Sequence, residues 1–332
     1  MLQCRVTTVR VNNRPSIADN RKRRDRGVRE DGFVPDGMDA PAERAGIAPL
    51  GPQRRPNGTM YLPRKIGPVE DLAFLRTCRS RQEHVLLYGP SGTGKTAVLE
   101  AACAPDARPA DANGPAHPGF EQLTMGINTM EADLLGTFTE DRTTGRHVWV
   151  DGPLTKAVRL DVPFIADEIL LADSRVLAPT LYALMDGRGV LAIPANPAME
   201  PLPVGPGFVV YATGNPGAPG AEFSEALRTR FDHHVEVDTD WLLAAELGVP
   251  ADIIPICRSL DKIRRAGELP VSPQLRELLA YRDTAALWGV STARQSLVGR
   301  MPFEVRPALI QALKNVFEVE YGPLRSGARA TG

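Results

Sequence analysis

Short apolar runs recur through the middle of the chain, and most of them end in glycine or a polar side chain. Their length and their bounding turn residues predict buried strands. Helical patterns lie between them, as in Ser174–Met185. The order of elements predicts an α/β fold, an αβα sandwich around a mostly parallel sheet. The predicted strands are Val85–Tyr88, Phe120–Ile127, Val162–Ala166, Phe208–Ala212 and His233–Val237.

From Thr239 onward the pattern becomes purely helical. We therefore predict an αβα domain over residues 59–238 and a smaller all-α lid domain over 239–321. Ser272 stands before Pro273, which predicts an N-cap followed by proline in the first turn. The predicted lid helices are Trp241–Glu246, Asp252–Arg265, Pro273–Ala285, Thr292–Val298 and Pro307–Val319.

A hairpin is predicted inside a helical stretch. Phe138–Val150 alternates as paired strands do, with Thr144 and Gly145 near its tip. Helical patterns occupy Met130–Leu135 before it and Pro153–Leu160 after it. We expect an insert at about residues 137–150 of the αβα domain.

The two ends of the chain differ from its body. Residues 1–58 are rich in Arg, Asp, Gly and Pro and poor in aromatics, which predicts a disordered basic arm with at most a short strand at Val6–Val11. The basic cluster at 21–29 favours a solvated tail, although contact with nucleic acid or an acidic partner stays open. Residues 322–332 are predicted to be a frayed tail.

Composition narrows the class of protein. The net charge of −1 gives no argument for nucleic acid as the main partner. No apolar run approaches the roughly 20 residues that span a bilayer, so no membrane partner is predicted. No secretory signal is visible. Cys4, Cys78, Cys103 and Cys257 are scattered, which fits a reducing cytoplasm and gives no zinc or disulfide framework.

The strongest motif follows the first predicted strand of the sheet. It matches G-x-x-x-x-G-K-[ST] between a strand and a helix, the context that a phosphate-binding loop requires. Glycines let backbone N–H groups approach phosphate, and the helix that follows favours an anion. Lys95 would hold the β- and γ-phosphates of ATP, and the Thr96 hydroxyl would ligate Mg²⁺. The loop consists of Gly89, Pro90, Ser91, Gly92, Thr93, Gly94, Lys95 and Thr96.

Polar residues end two further strands at the same edge of the sheet. Asp167 is expected to hold Mg²⁺, and Glu168 to orient and activate the attacking water. Asn215, after Phe208–Gly214, is expected beside the γ-phosphate. Tyr61 and Ile66, upstream of the loop, are weak candidates for the adenine pocket, with plain packing as the alternative.

Arginines follow in the later part of the chain. Arg228 and Arg230 precede Phe231, where an arginine can reach a neighbouring subunit's nucleotide and stabilise charge on the transferred phosphoryl group. Arg276 lies in the first turn of a predicted lid helix and can point back at the nucleotide. His233 and His234 have no other ligand nearby in sequence, so we interpret them as strand residues rather than a metal site.

The chain resembles AAA+ ATPases of the MoxR-like branch, of the CbbQ, NorQ and GvpN type grouped with dynein-related AAA domains. The resemblance covers roughly residues 59–320. It rests on GPSGTGKT, VWVDGPLTKAVRLDVPFIADEI, VVYATGNP, EALRTRF and VSPQLRELL. The segment WVDGPLTKAV is more diagnostic than the phosphate loop, which many functions share.

The resemblance implies a role for each matched residue. Lys95 and Thr96 match Walker A, and Asp167 and Glu168 match Walker B. Asn215 matches sensor 1. Arg230 matches the arginine finger, with Arg228 as second candidate. Arg276 matches sensor 2 at a stretched spacing, with Arg294 in reserve. The hairpin matches the helix 2 insert of this branch, so Phe138 or Trp149 could touch a client, with ordinary packing as the alternative.

These observations predict an ATP-hydrolysing remodeller that works as a homo-oligomeric ring, most simply a hexamer, with ATP and Mg²⁺ as cofactors. The resemblance implies work on a client protein, in complex activation or cofactor insertion, often beside a von Willebrand factor A domain partner. One alternative is a nucleic-acid motor or restriction-type ATPase, supported by the basic arm. Another is a nucleotide-gated scaffold with negligible turnover, which the Asp167–Glu168 pair disfavours.

Overall fold

The computed structural model describes residues 48–110 and 116–327. Its strands are β1 Gln53–Arg54, β2 Met60–Tyr61, β3 Lys65–Ile66, β4 Val69–Glu70, β5 Val85–Tyr88, β6 Glu121–Thr124, β7 Gly136–Glu140, β8 His147–Asp151, β9 Phe164–Asp167, β10 Val190–Leu191, β11 Leu202–Pro203, β12 Val210–Gly214 and β13 His233–Glu236. Its helices are α1 Asp71–Ser80, α2 Lys95–Cys103, α3 Glu131–Leu135, α4 Pro153–Leu160, α5 Ser174–Leu177, α6 Ala183–Met185, α7 Glu225–Arg228, α8 Trp241–Glu246, α9 Ile254–Arg265, α10 Leu275–Arg300 and α11 Arg306–Phe317.

The central sheet has five parallel strands in the order β13-β5-β12-β9-β6. Its strands are almost continuously apolar because helices cover both faces. Successive side chains point to opposite faces, so Phe164 and Ala166 pack into one buried cluster and Ile165 into another. The carboxyl ends of all five strands therefore share one edge, and the predicted fold class is confirmed.

A hairpin, β7 paired with β8, separates α3 from α4 where the sequence predicts it. Gly136 and Gly152 lie face to face at its base, too close for either to carry a Cβ. The Gly152 amide donates to the Leu135 carbonyl at 3.0 Å, and the Thr155 hydroxyl donates to the same oxygen at 2.7 Å. The two helices therefore stay joined by hydrogen bonds at the base of the hairpin.

The last four helices, α8–α11, enclose a third apolar core that includes Leu278, Tyr281 and Leu309. Gly289, with φ 83° and ψ 161°, bends α10. The two helices that the sequence predicts over 273–285 and 292–298 are therefore the two arms of one bent helix. Within the described ranges, no helix is both long and apolar enough to cross a bilayer.

The predicted cap of this bent helix is wrong. The N-cap position belongs to Gln274, whose amide donates to the Glu277 carboxylate at 3.0 Å. Ser272 is instead buried, and its hydroxyl donates to Asp261 on α9 at 2.9 Å. A buried polar partner outweighed the local signal of serine before proline.

Two predicted boundaries also change. The disordered arm does not extend to residue 58, because β1 pairs with β2 and Arg55 binds the Glu100 carboxylate on α2 at 2.6 Å. The proline-rich composition of residues 194–207 predicts a loop, but this stretch contains β11, which pairs with β10. The segments 6–11 and 21–29 lie outside the described residues, as does the end of the tail beyond 327.

Candidate nucleotide site

The phosphate loop connects β5 to α2 at the carboxyl edge of the sheet. Gly89, Gly92 and Gly94 all have positive φ, at 138°, 86° and 91°. A Cβ on Gly89 would collide with the backbone of Val237. The glycines let successive amides turn toward one point at the N-terminus of a nine-residue helix, which is an arrangement suited to phosphate.

Lys95 is the first residue of α2 and is 6% exposed. Its ammonium donates to the carbonyls of Gly89 at 2.9 Å and Pro90 at 2.8 Å, so the side chain lies across the loop. Burial lowers the pKa of Lys95, and the nearby carboxylates of Glu168 and Asp167 oppose that shift. The loop thus holds one cation beside two anions.

Thr96 and Asp167 meet although 71 residues separate them. The Thr96 hydroxyl donates to Asp167 Oδ1 at 2.8 Å. A hydroxyl and a carboxylate are hard oxygen ligands of the type that Mg²⁺ takes. The pair therefore fits a magnesium ion held between the loop and β9.

Thr213, on the neighbouring strand β12, completes this contact. Its hydroxyl donates to Asp167 Oδ1 at 2.6 Å and accepts from the Glu168 amide at 3.1 Å. The sequence does not single out Thr213, because the polar residue that follows the strand is Asn215, two residues later. The available signal was a polar side chain within an otherwise apolar strand.

Glu168 follows β9 in the left-handed region, at φ 55° and ψ 38°. This conformation is uncommon for a residue with a side chain, and such backbone occurs often at functional sites. Glu168 lines the same cavity as Lys95, Thr96 and Thr213, with a volume of about 600 Å³. A carboxylate is thus present at the wall of the cavity where a water would need a base.

Arg276, from the second residue of α10, lies against the loop. Its amide donates to the Gly92 carbonyl at 3.0 Å, and a Cβ on Gly92 would lie 3.2 Å from that of Arg276. Arg276 also lines the cavity. The reserve candidate, Arg294, lies elsewhere, with its guanidinium on Asp252 and Tyr321 within the helical region. The structure therefore brings Arg276, and not Arg294, to the loop.

Asn215 lies beside the first half of the loop. It lines a neighbouring cavity of about 480 Å³ with Gly89, Pro90 and Ser91. Its side-chain oxygen accepts from the Gly217 amide at 3.1 Å, an ordinary Asx turn. The structure thus places Asn215 near the loop without bringing it to the cavity wall that holds Glu168.

Comparison with known proteins identifies this arrangement. The family description "AAA domain (dynein-related subfamily)" matches residues 84–231. Protein NorQ of Paracoccus denitrificans is 27% identical over 278 residues, which cover 80% of this chain and 93% of NorQ. Residues 84–231 are thus an AAA domain, and the likeness to NorQ over most of the chain supports an AAA+ ATPase of the MoxR-like type.

Two other matches either cover a smaller part of the matched protein or are more distant. A midasin of Dictyostelium discoideum is 32% identical over 220 residues, 63% of this ATPase and 4% of the midasin. A crystal structure of a protein from Cytophaga hutchinsonii aligns with a TM-score of 0.38 and 15% identity over 74% of each chain.

The two arginines before Phe231 are held differently in this ATPase. The Arg230 guanidinium donates to the Ala226 carbonyl at 2.8 Å and to Asp186 at 3.1 Å, and lies 4.5 Å from the centre of the Tyr182 ring. Arg228 is exposed, with its guanidinium 5.6 Å from the Phe223 ring. In the single chain, Arg230 therefore contacts its own subunit rather than open solvent.

Tyr61 and Ile66, the weak candidates for the adenine pocket, line different cavities. Tyr61 lines the cavity that contains the loop, but its hydroxyl is bound to the buried Asp71. Ile66 lines a different cavity. Arg64, which the sequence analysis did not single out, lies between them and reaches the loop.

His233 has partners that sequence distance hid. Its ring nitrogen lies 2.9 Å from Glu83, and the Cys78 sulfur is close enough that the three ligand atoms fall within 4.8 Å. Hydrogen bonds from His233 and Arg81 lower the pKa of Glu83, while burial raises that of the Cys78 thiol to about 12. The hydrogen bond between His233 and Glu83 accounts for their contact, and the cluster lies near the opposite end of β5 from the nucleotide cavity.

Proposed function

We propose that this ATPase binds Mg²⁺–ATP at the loop cavity and hydrolyses it with Glu168 as the base. The observation that carries the proposal is that Lys95, Thr96 and Glu168 line one cavity at the carboxyl edge of a parallel sheet, with Asp167 bonded to Thr96. Neither a phosphate loop nor a carboxylate pair alone would support hydrolysis so specifically.

Each residue has a distinct role in the proposed reaction. The loop amides and Lys95 bind and orient the phosphates. Thr96 and Asp167 would hold Mg²⁺, which would supply positive charge beside the phosphates. Glu168 orients a water and accepts its proton. Thr213 keeps Asp167 and the Glu168 backbone in register, and Arg276 contributes a further cation beside the loop.

We further propose a ring, most simply a hexamer, in which Arg230 or Arg228 completes the neighbour's site. Support comes from their position at the end of α7 and just beyond it, since no described contact brings either side chain into its own loop cavity. Arg230 would then have to exchange its contacts with Asp186 and Tyr182 for the neighbour's phosphate.

The proposed work is remodelling of a client protein in the cytoplasm, together with a von Willebrand factor A domain partner. Support comes from the MoxR-like family and from the hairpin, where Phe138, Val148 and Val150 are 48%, 40% and 46% exposed. Apolar side chains at a hairpin surface can contact an unfolded or loosely held segment.

The test is a comparison of Glu168→Gln with the unchanged ATPase. The amide keeps the shape but cannot accept a proton, so hydrolysis should fall at least about a hundredfold while ATP binding is retained. Phosphate release and equilibrium ATP binding measure the two effects, and Glu246→Gln, on α8, is a matched control. Turnover at the unchanged rate in Glu168→Gln would refute the assignment.

A further inference from the structure

Arg64 connects the segment before the sheet to the phosphate loop. It lies between β2 and β3, and its side chain is 12% exposed. Its Nη1 donates to the carbonyl of Thr93 at 3.0 Å and, more weakly, to the carbonyl of Asp238 at 3.4 Å. One guanidinium thus joins the linker, the loop and the end of the sheet.

The other side of Arg64 is fixed by a buried network. Its Nε donates to the Tyr61 hydroxyl at 3.2 Å and lies 3.7 Å from the Asp71 carboxylate, the first residue of α1. The Tyr61 hydroxyl donates to Asp71, which is 3% exposed. Because Asp71 balances its charge, Arg64 can remain buried in a single orientation.

The contact with Thr93 gives a hydrogen-bond partner to a carbonyl of the phosphate loop. The amides of the loop must point toward phosphate, so its carbonyls point away and need other partners. Arg64 supplies one at Thr93, and its Nη2 lies 3.8 Å from where a Cβ would be on Gly94. A charged donor here fixes the loop in its binding shape before nucleotide arrives, which lowers the cost of binding.

We infer that Arg64 is a positioning residue that sets the affinity of the loop for nucleotide. The inference rests on the proposed nucleotide site and adds the linker to it. Arg64 acts through the Thr93 peptide rather than through the reacting atoms, so its loss should weaken binding more than turnover.

The experiment measures Mg²⁺–ADP binding by calorimetry and ATP hydrolysis at saturating ATP. In Arg64→Ala the dissociation constant should rise about tenfold, since a hydrogen bond from a charged donor is lost. The maximal rate should change less than about threefold. Arg64→Lys, which keeps one charged donor, should recover part of the affinity. Lys65→Ala, an exposed neighbour with the same change in charge, should bind as the unchanged chain does.

Glu100→Ala separates positioning of the loop from simple attachment of the linker. It removes the ion pair that ties Arg55 in the linker to α2 but leaves the Arg64 guanidinium on Thr93. We expect a lower melting temperature with unchanged ADP affinity. An Arg64→Ala chain that melts lower yet binds ADP normally would overturn the inference, and so would equal losses of affinity in Arg64→Ala and Glu100→Ala. Loss of hydrolysis in Glu168→Gln would still stand in either case, so the two failures are distinguishable.

Discussion

Two segments outside the sheet carry the candidate site arginines Arg276 and Arg230, and the two segments are held in opposite ways. Residues 272–276 are anchored by a buried network, and the Arg276 amide is bonded to the loop itself. Residues 225–230 lie on the surface, where Arg230 contacts Asp186 across a partly exposed ion pair. Arg276 is thus held beside the loop of its own chain in advance, whereas the proposed contribution of Arg230 to a neighbour would first require release of its present contacts.

The anchor of the first segment is Asp261, which is 3% exposed. Its carboxylate accepts from Ser272 at 2.9 Å, from Gln274 at 3.0 Å, and from Arg264 and Arg265 at 2.8 and 2.9 Å. The second segment has no comparable buried charge in the part of the chain described. Exposed ion pairs contribute little stability, so the contacts of Arg230 can be exchanged at small cost.

The largest expected effect comes from removing Arg230, the residue proposed to act on the neighbouring subunit. Arg230→Ala should lower hydrolysis by the assembled protein about a thousandfold, because an arginine finger stabilises charge in the transition state. Mixing Arg230→Ala with Glu168→Gln subunits should restore part of the activity, since one subunit supplies the base and the next supplies the arginine. The measurement is phosphate release across a series of mixing ratios.

Arg228→Ala is the matched variant for that experiment. If Arg230 is the finger, Arg228→Ala should hydrolyse ATP at close to the unchanged rate. Loss in Arg228→Ala alone would transfer the role to the exposed arginine. Mixtures that never exceed the activity of their components would argue against a shared site.

A smaller effect is expected from removing Arg276, which lies beside the loop of its own chain. Arg276→Ala should lower kcat/KM for ATP about a hundredfold, because a preorganised cation beside the loop is removed. Arg294→Ala provides the contrast. Arg294 binds Asp252 and Tyr321 away from the cavity, so its loss should lower the melting temperature and leave kcat/KM nearly unchanged. Equal kinetic losses in both variants would mean that the effect is structural.

The smallest expected effect on turnover, and the clearest on stability, comes from the anchor. Burial raises the pKa of Asp261, but the hydrogen bonds from Gln274, Arg264, Arg265 and Ser272 outweigh it and bring the pKa down from 3.8 to about 2. Because the folded-state pKa is depressed, its stabilisation is present above pH 4 and is lost as the pH falls toward 2. Asp261→Asn should cost about 3 kcal/mol at neutral pH.

Urea unfolding at several pH values checks this prediction. The difference in free energy of unfolding between the unchanged chain and Asp261→Asn should shrink as the pH falls from 4 toward 2. Asp283→Asn, at an exposed carboxylate on α10, should show no such convergence. A difference that stays constant with pH would show that the charge of Asp261 is not the stabilising feature.

Sequence reasoning predicted best where chemistry is local. The phosphate loop, the Asp167–Glu168 pair and the hairpin each lie within one short stretch, where residue type and spacing determine geometry. It failed for contacts between distant segments. Thr213 and Arg64 have their roles only because the sheet and the linker bring them to residues that lie far along the chain.

The same limit explains the error at Ser272. Serine before proline is a sound local signal for a helix start, but Asp261, from a different helix, competes for its hydroxyl. Arg230 shows a further limit. No pattern within one chain specifies which of two nearby arginines a second copy would use.

The hairpin between α3 and α4 is attached to the domain in a way that allows its sequence and length to vary. Its two ends are one hydrogen bond apart, at Leu135 and Gly152, and two glycines close the gap. Because the helices already meet beneath it, the insert can change in length or in its tip residues without disturbing the cores of the αβα layers. The exposed surface of the hairpin can therefore evolve separately from the nucleotide cavity.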